Sequence, residues 1–450
     1  MRTVLILGAG LSSFSLIKYF LDHSETQWKV RVGDIILENA MEGVGGHPSG
    51  EAFRFDVFDP VQRREEINQA SIVISMLPAR LHHMVAESCV ELGRNMVTAS
   101  YLSPAIRALD SEARKKGIVL MNECGVDPGI DHMSAMQMIN RIREEGLELK
   151  AFESSTGGLV APGYETNPWR YKFTWNPRNV VLAGHDGARF LHNGKFKYIP
   201  YHKVFSRIET IQVPELGAFE VYGNRDSLTY RETYGLHNLK TMFRGTIRRP
   251  GFCEAWDTFV QLGATDDTYV MENTEEMSYR EFINSFMAFQ TDIPVEQKLL
   301  NYLNLDKDSD MMERLRWLGI FEDTKIGVPG LSPAKILQKI LEEKWQLDPG
   351  DKDMIVMQHQ FDFDKEGIHK KRFSTMVFIG ENTRNTAMSI SVGLPLAMVA
   401  RRILEGTYLK KGVQLPIDAE IYNPVLEELE GYGIRFTEEE VTVPSSAKIL

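Results

Sequence analysis

Short apolar runs closed by glycine or proline alternate with helix-spaced segments along the first part of the chain. Thr3–Leu7 (TVLIL) is continuously apolar and stops at Gly8, the pattern of a strand buried on both faces. Leu11–Asp22 carries apolar residues at helical spacing, and Trp28–Val32 alternates before Gly33-Asp34. Ser71–Met76 is another buried run, closed by Leu77-Pro78. Leu81–Leu92 reads as a helix, and Asn95–Thr98 and Gly117–Met121 as further strands. This alternation predicts an α/β fold with a Rossmann-type doubly wound parallel sheet.

The texture changes after the turn signal Asp127-Pro128-Gly129. Ala151–Phe252 is rich in Gly, Pro, aromatic and β-branched residues, which predicts an antiparallel or mixed sheet in an α+β region. Asp266–Lys344 is charged, rich in Met and Leu, and helical in spacing. Asp353–Gln358 and Arg372–Phe378 return to strand character. Thr386–Leu404 is a long helical pattern with few charges before Arg401-Arg402.

The composition is globular, with 43% hydrophobic and 25% charged residues, and the formal net charge is −11. A broad nucleic-acid surface is not expected, because phosphate backbones are bound by excess positive charge. Three cysteines without CxxC spacing, Cys89, Cys124 and Cys253, argue against a disulfide framework or a zinc site. A reducing cytoplasm and no metal are the expectation. No run of ~18 uninterrupted apolar residues occurs, so no membrane-spanning helix is expected. Gly8, Gly10 and the serines break up the apolar run after Arg2, and no export leader is expected there.

Gly8-Ala9-Gly10-Leu11-Ser12-Ser13 lies between the first strand and the first helix. Gly8 permits a tight turn, Gly10 lets a pyrophosphate approach the backbone, and the helix N-terminus offers free N–H groups to that anion. Ser13 replaces the third glycine of the fingerprint. The alternative is a turn whose glycines serve packing alone. Asp34, at the end of the second strand, can accept both ribose hydroxyls of an adenosine and would repel a 2′-phosphate. NAD is thereby favoured over NADP, unless Asp34 is simply a loop aspartate.

Ligands in open α/β sheets sit at the carboxyl ends of the strands. Three such ends carry Ser75–Pro78, Thr98–Tyr101 and Glu123–Pro128, and Tyr101 and Asp127 are the polar groups set against a substrate. Segment 225–250 holds six basic residues (Arg225, Arg231, Lys240, Arg244, Arg248, Arg249) against two acids. Arginine forks match carboxylates, so a polycarboxylate pocket is one reading and a solvated basic face the other.

Longer stretches carry a resemblance. Ser75–Pro78, Asn95–Tyr101, Gly125–Met133, Tyr171–Trp175, Asn224–Ser227, Arg244–Thr246, Lys352–Met357 and Ser391–Pro395 occur in order over almost the whole chain. On these the sequence resembles the glutamate-forming saccharopine dehydrogenase (saccharopine reductase) family, including the dehydrogenase half of the bifunctional lysine-degrading enzyme. The resemblance implies a dinucleotide-binding domain (1–128 and 386–450), an α+β substrate domain (129–264 and 350–385) and a small helical domain (265–349). It implies an NAD(P)-dependent oxidoreductase of lysine metabolism that interconverts saccharopine with glutamate and 2-aminoadipate 6-semialdehyde. The partner is then a small tricarboxylate amino acid, with a homodimer left open.

The resemblance implies cofactor contacts at Gly8, Gly10, Leu11, Ser12, Asp34, Asp56, Val57, Met76, Leu77, Ala99, Ser100, Val126, Asp127, Pro128 and Trp175. It implies substrate contacts at Ser100, Tyr101, Asp127, Arg225, Arg244, Thr246 and Arg248. Asp127 is the first candidate for the catalytic base or the counter-charge to an iminium, and Tyr101 the second, orienting substrate or relaying a proton. The chain departs from the family where members typically read Tyr-Cys-Gly-Gly-Leu-Pro-Ala-Pro. Here Ser155-Thr156-Gly157-Gly158-Leu159-Val160-Ala161-Pro162 puts Thr156 in place of a thiol. Alternatives are a related opine or carboxyspermidine-type reductase, or a non-catalytic dinucleotide-binding protein.

Overall fold

The computed structural model describes residues 1–24 and 27–443. The chain forms two compact units: Met1–Leu149 with Met376–Thr437, and Lys150–Thr375 with the segment from Glu438.

The first unit is built on strands β1 (Arg2–Leu7), β2 (Trp28–Asp34), β3 (Gly50–Arg54), β4 (Ile72–Ser75), β5 (Asn95–Thr98) and β6 (Val119–Met121). With the segment Gly412–Gln414 they form a seven-stranded sheet in the order Gly412–Gln414, β6, β5, β4, β1, β2, β3. Every pairing is parallel. Val4–Leu7 and Ile72–Ile74 are fully buried, as continuous apolar runs inside a doubly covered sheet must be. The strand order reverses beside β1, which has β2 on one side and β4 on the other. That is the switch point at which α/β sheets bind ligands.

Helix α1 (Phe14–Asp22) follows β1 and packs against the long helix Ala387–Glu405. Their approach is close: a Cβ on Gly393 would lie 2.7 Å from the Leu16 nitrogen. The helix Ala387–Glu405 is long and apolar enough, by length and composition, to cross a membrane. However, 78% of that stretch is buried inside the protein, against α1, β4 and β5. Burial in the core accounts for its apolarity.

The second unit contains β7 (Leu149–Val160), β8 (Ala188–His192), β9 (Lys195–Ile199), β10 (Ile208–Val213), β11 (Gly217–Gly223), β12 (Arg225–Asp226), β13 (Thr241–Arg248), β14 (Asp353–Lys365) and most of β15 (Ile368–Ile379). The sheet runs β10, β11, β13, β7, β14, β15 and then Thr437–Thr442, with β8, β9 and β12 attached at its side. It is mixed, because β11 meets β13 antiparallel and β7 meets β13 parallel. Along β13, alternation sends Phe243 and Ile247 into a core with Leu159, Phe219 and Val221. Arg244, Thr246 and Arg248 therefore share the opposite face.

Residues 265–349 lie within this unit, and their helices share one core with its aromatic residues. Trp169, Tyr171, Phe252, Trp256 and Trp345 pack together with Leu299, Leu315 and Leu337.

Candidate active site

At the end of β1, Gly8 has φ +103° and donates its N–H to the Gly33 carbonyl at 2.8 Å. A Cβ on Gly8 would meet the Met76 carbonyl at 2.8 Å, so only glycine fits against the end of β4. Gly10 is the opposite case. Nothing lies within 4 Å of a Cβ placed there, leaving the open backbone that a pyrophosphate needs. The Ser13 N–H and hydroxyl both donate to the Gly10 carbonyl, at 3.0 and 2.6 Å, and this closes the turn where a third glycine is missing. Ser12 follows Leu11, which is 71% exposed. The turn therefore fits a dinucleotide phosphate at the start of α1.

Asp34 is drawn into the same turn. Its Oδ2 accepts the Ala9 N–H at 2.7 Å and its Oδ1 accepts the Ile36 N–H at 2.9 Å. Arg31 is committed elsewhere, with its guanidinium paired to Glu51 and Glu66 and lying over the Phe53 ring. Ile35, Ile36 and Phe58 stay exposed beside the ends of β2 and β3, an apolar surface suited to an adenine. Asp56 accepts the Phe58 N–H at 2.9 Å, and Val57 is buried next to it.

The ends of β4, β5 and β6 carry the other predicted residues of this unit. Met76 and Leu77 are half-buried beside Gly8. The Ala99 side chain would lie 3.1 Å from a Cβ on Gly125, so the loop after β6 closes on the end of β5. In that loop Val126 is buried, the Asp127-Pro128 peptide is cis, and the Pro128 carbonyl accepts the Gly125 N–H at 2.8 Å. Tyr101 donates its hydroxyl proton to Asp127 Oδ1 at 3.0 Å.

A buried brace holds that pair. The Glu123 N–H donates to the Ser100 carbonyl at 3.1 Å, and its Oε1 accepts the Leu102 N–H at 2.9 Å. Its Oε2 lies 2.7 Å from His132 Nε2 on the helix Ile130–Glu144, which begins just after Asp127-Pro128. One carboxylate thus ties the Tyr101 segment to the Asp127 loop. Glu123 adopts φ +61°, a backbone conformation unusual for a side chain of this kind.

His82 is a second buried group at these strand ends. It meets the hydroxyls of Ser75 and Ser100 at 2.8 Å each and of Thr98 at 3.3 Å.

In the second unit, Arg244, Thr246 and Arg248 on β13 stand in register with Ser154 and Thr156 of β7 and with Tyr222 and Glu220 of β11. The Arg248 guanidinium is buried among the rings of Tyr171, Tyr222 and Phe252, 5.3, 5.7 and 5.3 Å from their centres. It donates to the Ile247 carbonyl at 3.0 Å and to the Tyr222 hydroxyl at 3.4 Å. Its Nε has no hydrogen-bond partner, nor has the buried Thr156 hydroxyl. Among the described residues no carboxylate pairs with it. A buried cation lacking an acid is costly, and the box suits an incoming carboxylate. Burial raises the pKa of both Tyr171 and Tyr222, so both stay protonated as donors. Arg244 is also buried and lies over the Tyr230 ring. Trp175 is half-buried against the aromatic core.

The basic segment is not one pocket. Arg249 turns away from Arg248 to pair with Glu165, Arg225 is exposed at 3.8 Å from Asp186, and Arg231 bonds to the His237 carbonyl. The members stand on different elements: Arg225 on β12, Arg231 on the helix Thr229–Thr233, Arg244 and Arg248 on β13, and Arg249 just past its end. His82, Glu123, His132, Tyr171 and Tyr222 are not among the site residues expected from the sequence, although Glu123, His132 and Tyr171 lie in stretches it singled out. His82 had a signal: it shares the helical stripe of Val85, Ala86 and Cys89, so it must be buried. Among the described residues there is no cluster of three or more His, Cys, Asp or Glu able to hold a metal.

Comparison with known proteins places these features in a family. Residues 4–121 match the saccharopine dehydrogenase NADP binding domain, and residues 125–434 match the saccharopine dehydrogenase C-terminal domain. A Schizosaccharomyces pombe protein named saccharopine dehydrogenase [NADP(+), L-glutamate-forming] is 31% identical over 448 residues, 98% of this chain and 99% of that one. An Arabidopsis thaliana alpha-aminoadipic semialdehyde synthase is 32% identical, over 97% of this chain and 44% of its own length. The apo saccharopine dehydrogenase (L-Glu forming) structure from Saccharomyces cerevisiae superposes with a TM-score of 0.86, at 31% identity and over 98% of this chain and 100% of that one. Residues 4–121 thus match a nicotinamide-dinucleotide-binding domain, and the chain belongs to the saccharopine dehydrogenase family.

Proposed function

We propose that the protein interconverts saccharopine with glutamate and 2-aminoadipate 6-semialdehyde. The observation that carries this reading is the buried Arg248 guanidinium, boxed by aromatic rings and, among the described residues, with no acid against it and with Nε unpaired. A substrate carboxylate completes it. Arg244, on the same face of β13, takes a second carboxylate. Thr246 and the unpaired Thr156 hydroxyl contribute neutral hydrogen bonds to the same ligand.

A bound nicotinamide would accept hydride from, or return it to, the carbon of the substrate's C–N bond. Oxidation requires the secondary amine to be neutral first, because an ammonium has no lone pair to assist hydride loss. Asp127 takes that proton, and Tyr101, hydrogen-bonded to Asp127, orients the carboxylate. Water then adds to the iminium carbon, and the C–N bond breaks to release glutamate and the semialdehyde. Overall, saccharopine, water and the oxidised dinucleotide give glutamate, the semialdehyde, the reduced dinucleotide and a proton.

Asp34 favours NAD over NADP in this reading. Its carboxylate sits beside the turn through Ala9, Arg31 is spent on Glu51 and Glu66, and the next two residues are isoleucines. A 2′-phosphate would meet negative charge there. The three cysteines, all free and buried, accord with a reducing, cytoplasmic setting. Initial rates with saccharopine, comparing the two dinucleotides, test both parts. Turnover with kcat/KM higher for NAD supports them. Turnover favouring NADP removes the role given to Asp34, and no turnover with either removes the substrate.

A further inference from the structure

The His82 imidazole lies under the strand ends of the first unit and is 2% exposed. Three hydroxyls converge on it: Ser75 at Nδ1 (2.8 Å), Ser100 at Nε2 (2.8 Å) and Thr98 at Nε2 (3.3 Å). Burial lowers the His82 pKa to about 4, so the ring is neutral at working pH and has one N–H and one bare nitrogen. Only one ring nitrogen can accept a proton from a hydroxyl.

Hydrogen-bond accounting assigns that nitrogen. Ser75 is fully buried, and among the described residues its hydroxyl meets only His82. If Nδ1 carried the proton, the Ser75 O–H would be left buried without an acceptor, at a cost of about 1–3 kcal/mol. With Nδ1 bare, Ser75 donates to it, and Nε2–H donates to Ser100 at the short distance. Either tautomer leaves one buried hydroxyl proton without the ring, that of Ser75 or that of Thr98, and distance decides: the Thr98 contact at 3.3 Å is the weaker, and its oxygen still accepts the Ser100 N–H at 3.3 Å. Ser100, half-buried and next to Tyr101, is then left with its own O–H unused.

We propose that His82 is a positioning residue, which accepts from Ser75 and donates to Ser100 so that the Ser100 hydroxyl is fixed as a donor to a carboxylate oxygen of the substrate. Asp127 and Tyr101 handle the amine, whereas this relay orients a neighbouring carboxylate. The substrate half of the proposal rests on the function assigned above. The tautomer half does not.

The test uses the full chain with 15N-labelled histidine, the His82 signal being identified by its loss in His82→Asn. The expected spectrum has Nε2 protonated and Nδ1 bare, unchanged between pH 6 and pH 9. A protonated Nδ1, or an imidazolium, overturns the proposal whether or not saccharopine is turned over. Kinetics supply the second arm. Ser75→Ala, a mild change, is expected to raise KM for saccharopine about threefold to tenfold with kcat nearly unchanged. In a Ser100→Ala background the same change is expected to do nothing further. Additive effects of the two substitutions overturn the relay, since a merely structural Ser75 would act independently of Ser100.

Discussion

The Tyr101 hydroxyl lies 3.0 Å from Asp127 Oδ1, which joins the ends of the neighbouring strands β5 and β6. If Asp127 is the proton acceptor, Asp127→Asn keeps the shape and removes the base. We expect kcat to fall by about 10²-fold or more, with KM within a few-fold, as general-base catalysis is worth that much. Steady-state kinetics check this, and unchanged kcat would take Asp127 out of the chemistry. Tyr101→Phe should cost less, and little more once Asp127 is already Asn, because the two act as a unit.

The two glycines of the phosphate turn should respond in opposite ways. Gly10→Ala adds a Cβ to open space, so Tm should hold while dinucleotide affinity falls. Gly8→Ala drives a Cβ to 2.8 Å from the Met76 carbonyl at φ +103°, so Tm itself should drop. Melting curves with and without dinucleotide separate the two.

Arg248→Met should trade function for stability. The buried guanidinium has no acid partner among the described residues, so replacing it with an apolar chain of similar length should leave Tm unchanged or raise it. Its carboxylate contact would be lost, and KM for saccharopine should rise by about 10-fold to 100-fold, the worth of one charged hydrogen bond. A drop in Tm with KM unchanged would mark Arg248 as purely structural.

Glu153 gives a pH dependence away from the proposed chemistry. Burial, reinforced by the Glu209 and Asp362 carboxylates and opposed by Lys371, pushes its pKa up to about 7. The folded state therefore binds this proton more tightly than the unfolded chain does. Its contribution is fully present below the ordinary glutamate range and is lost as pH rises through about 7. Glu153→Gln should accordingly raise Tm at pH 8 and change it much less at pH 4.5. Equal shifts at both values would contradict the assignment.

The parallel sheet was legible because buried strands read as unbroken apolar runs. The expected strand Asn95–Thr98 matches to the residue, whereas the expected Trp28–Val32 runs on through Gly33-Asp34. β3 was not legible: Gly50–Arg54 is a half-buried edge strand with only Ala52 and Phe53 to mark it. β14 and β15 are longer than their apolar centres, because their outer turns carry charge.

At the candidate site, Tyr101 and Asp127 could be guessed from strand ends, since fold topology alone brings those ends together. Their brace could not, because nothing in Glu123 or His132 as residue types announces a bond across nine positions. The arginines of 225–250 look like one cluster in sequence, but they fall on different elements, and alternation along β13 leaves only Arg244 and Arg248 sharing a face.

Oxidative cleavage of the C–N bond of saccharopine is the reaction from which every role assigned above follows. The most direct measurement is mass-spectrometric quantification of glutamate alongside the reduced dinucleotide formed from saccharopine. One glutamate per reduced dinucleotide is expected, with both lost together in Asp127→Asn. Tight dinucleotide binding without glutamate release, or preferential oxidation of a different secondary amine, would contradict it.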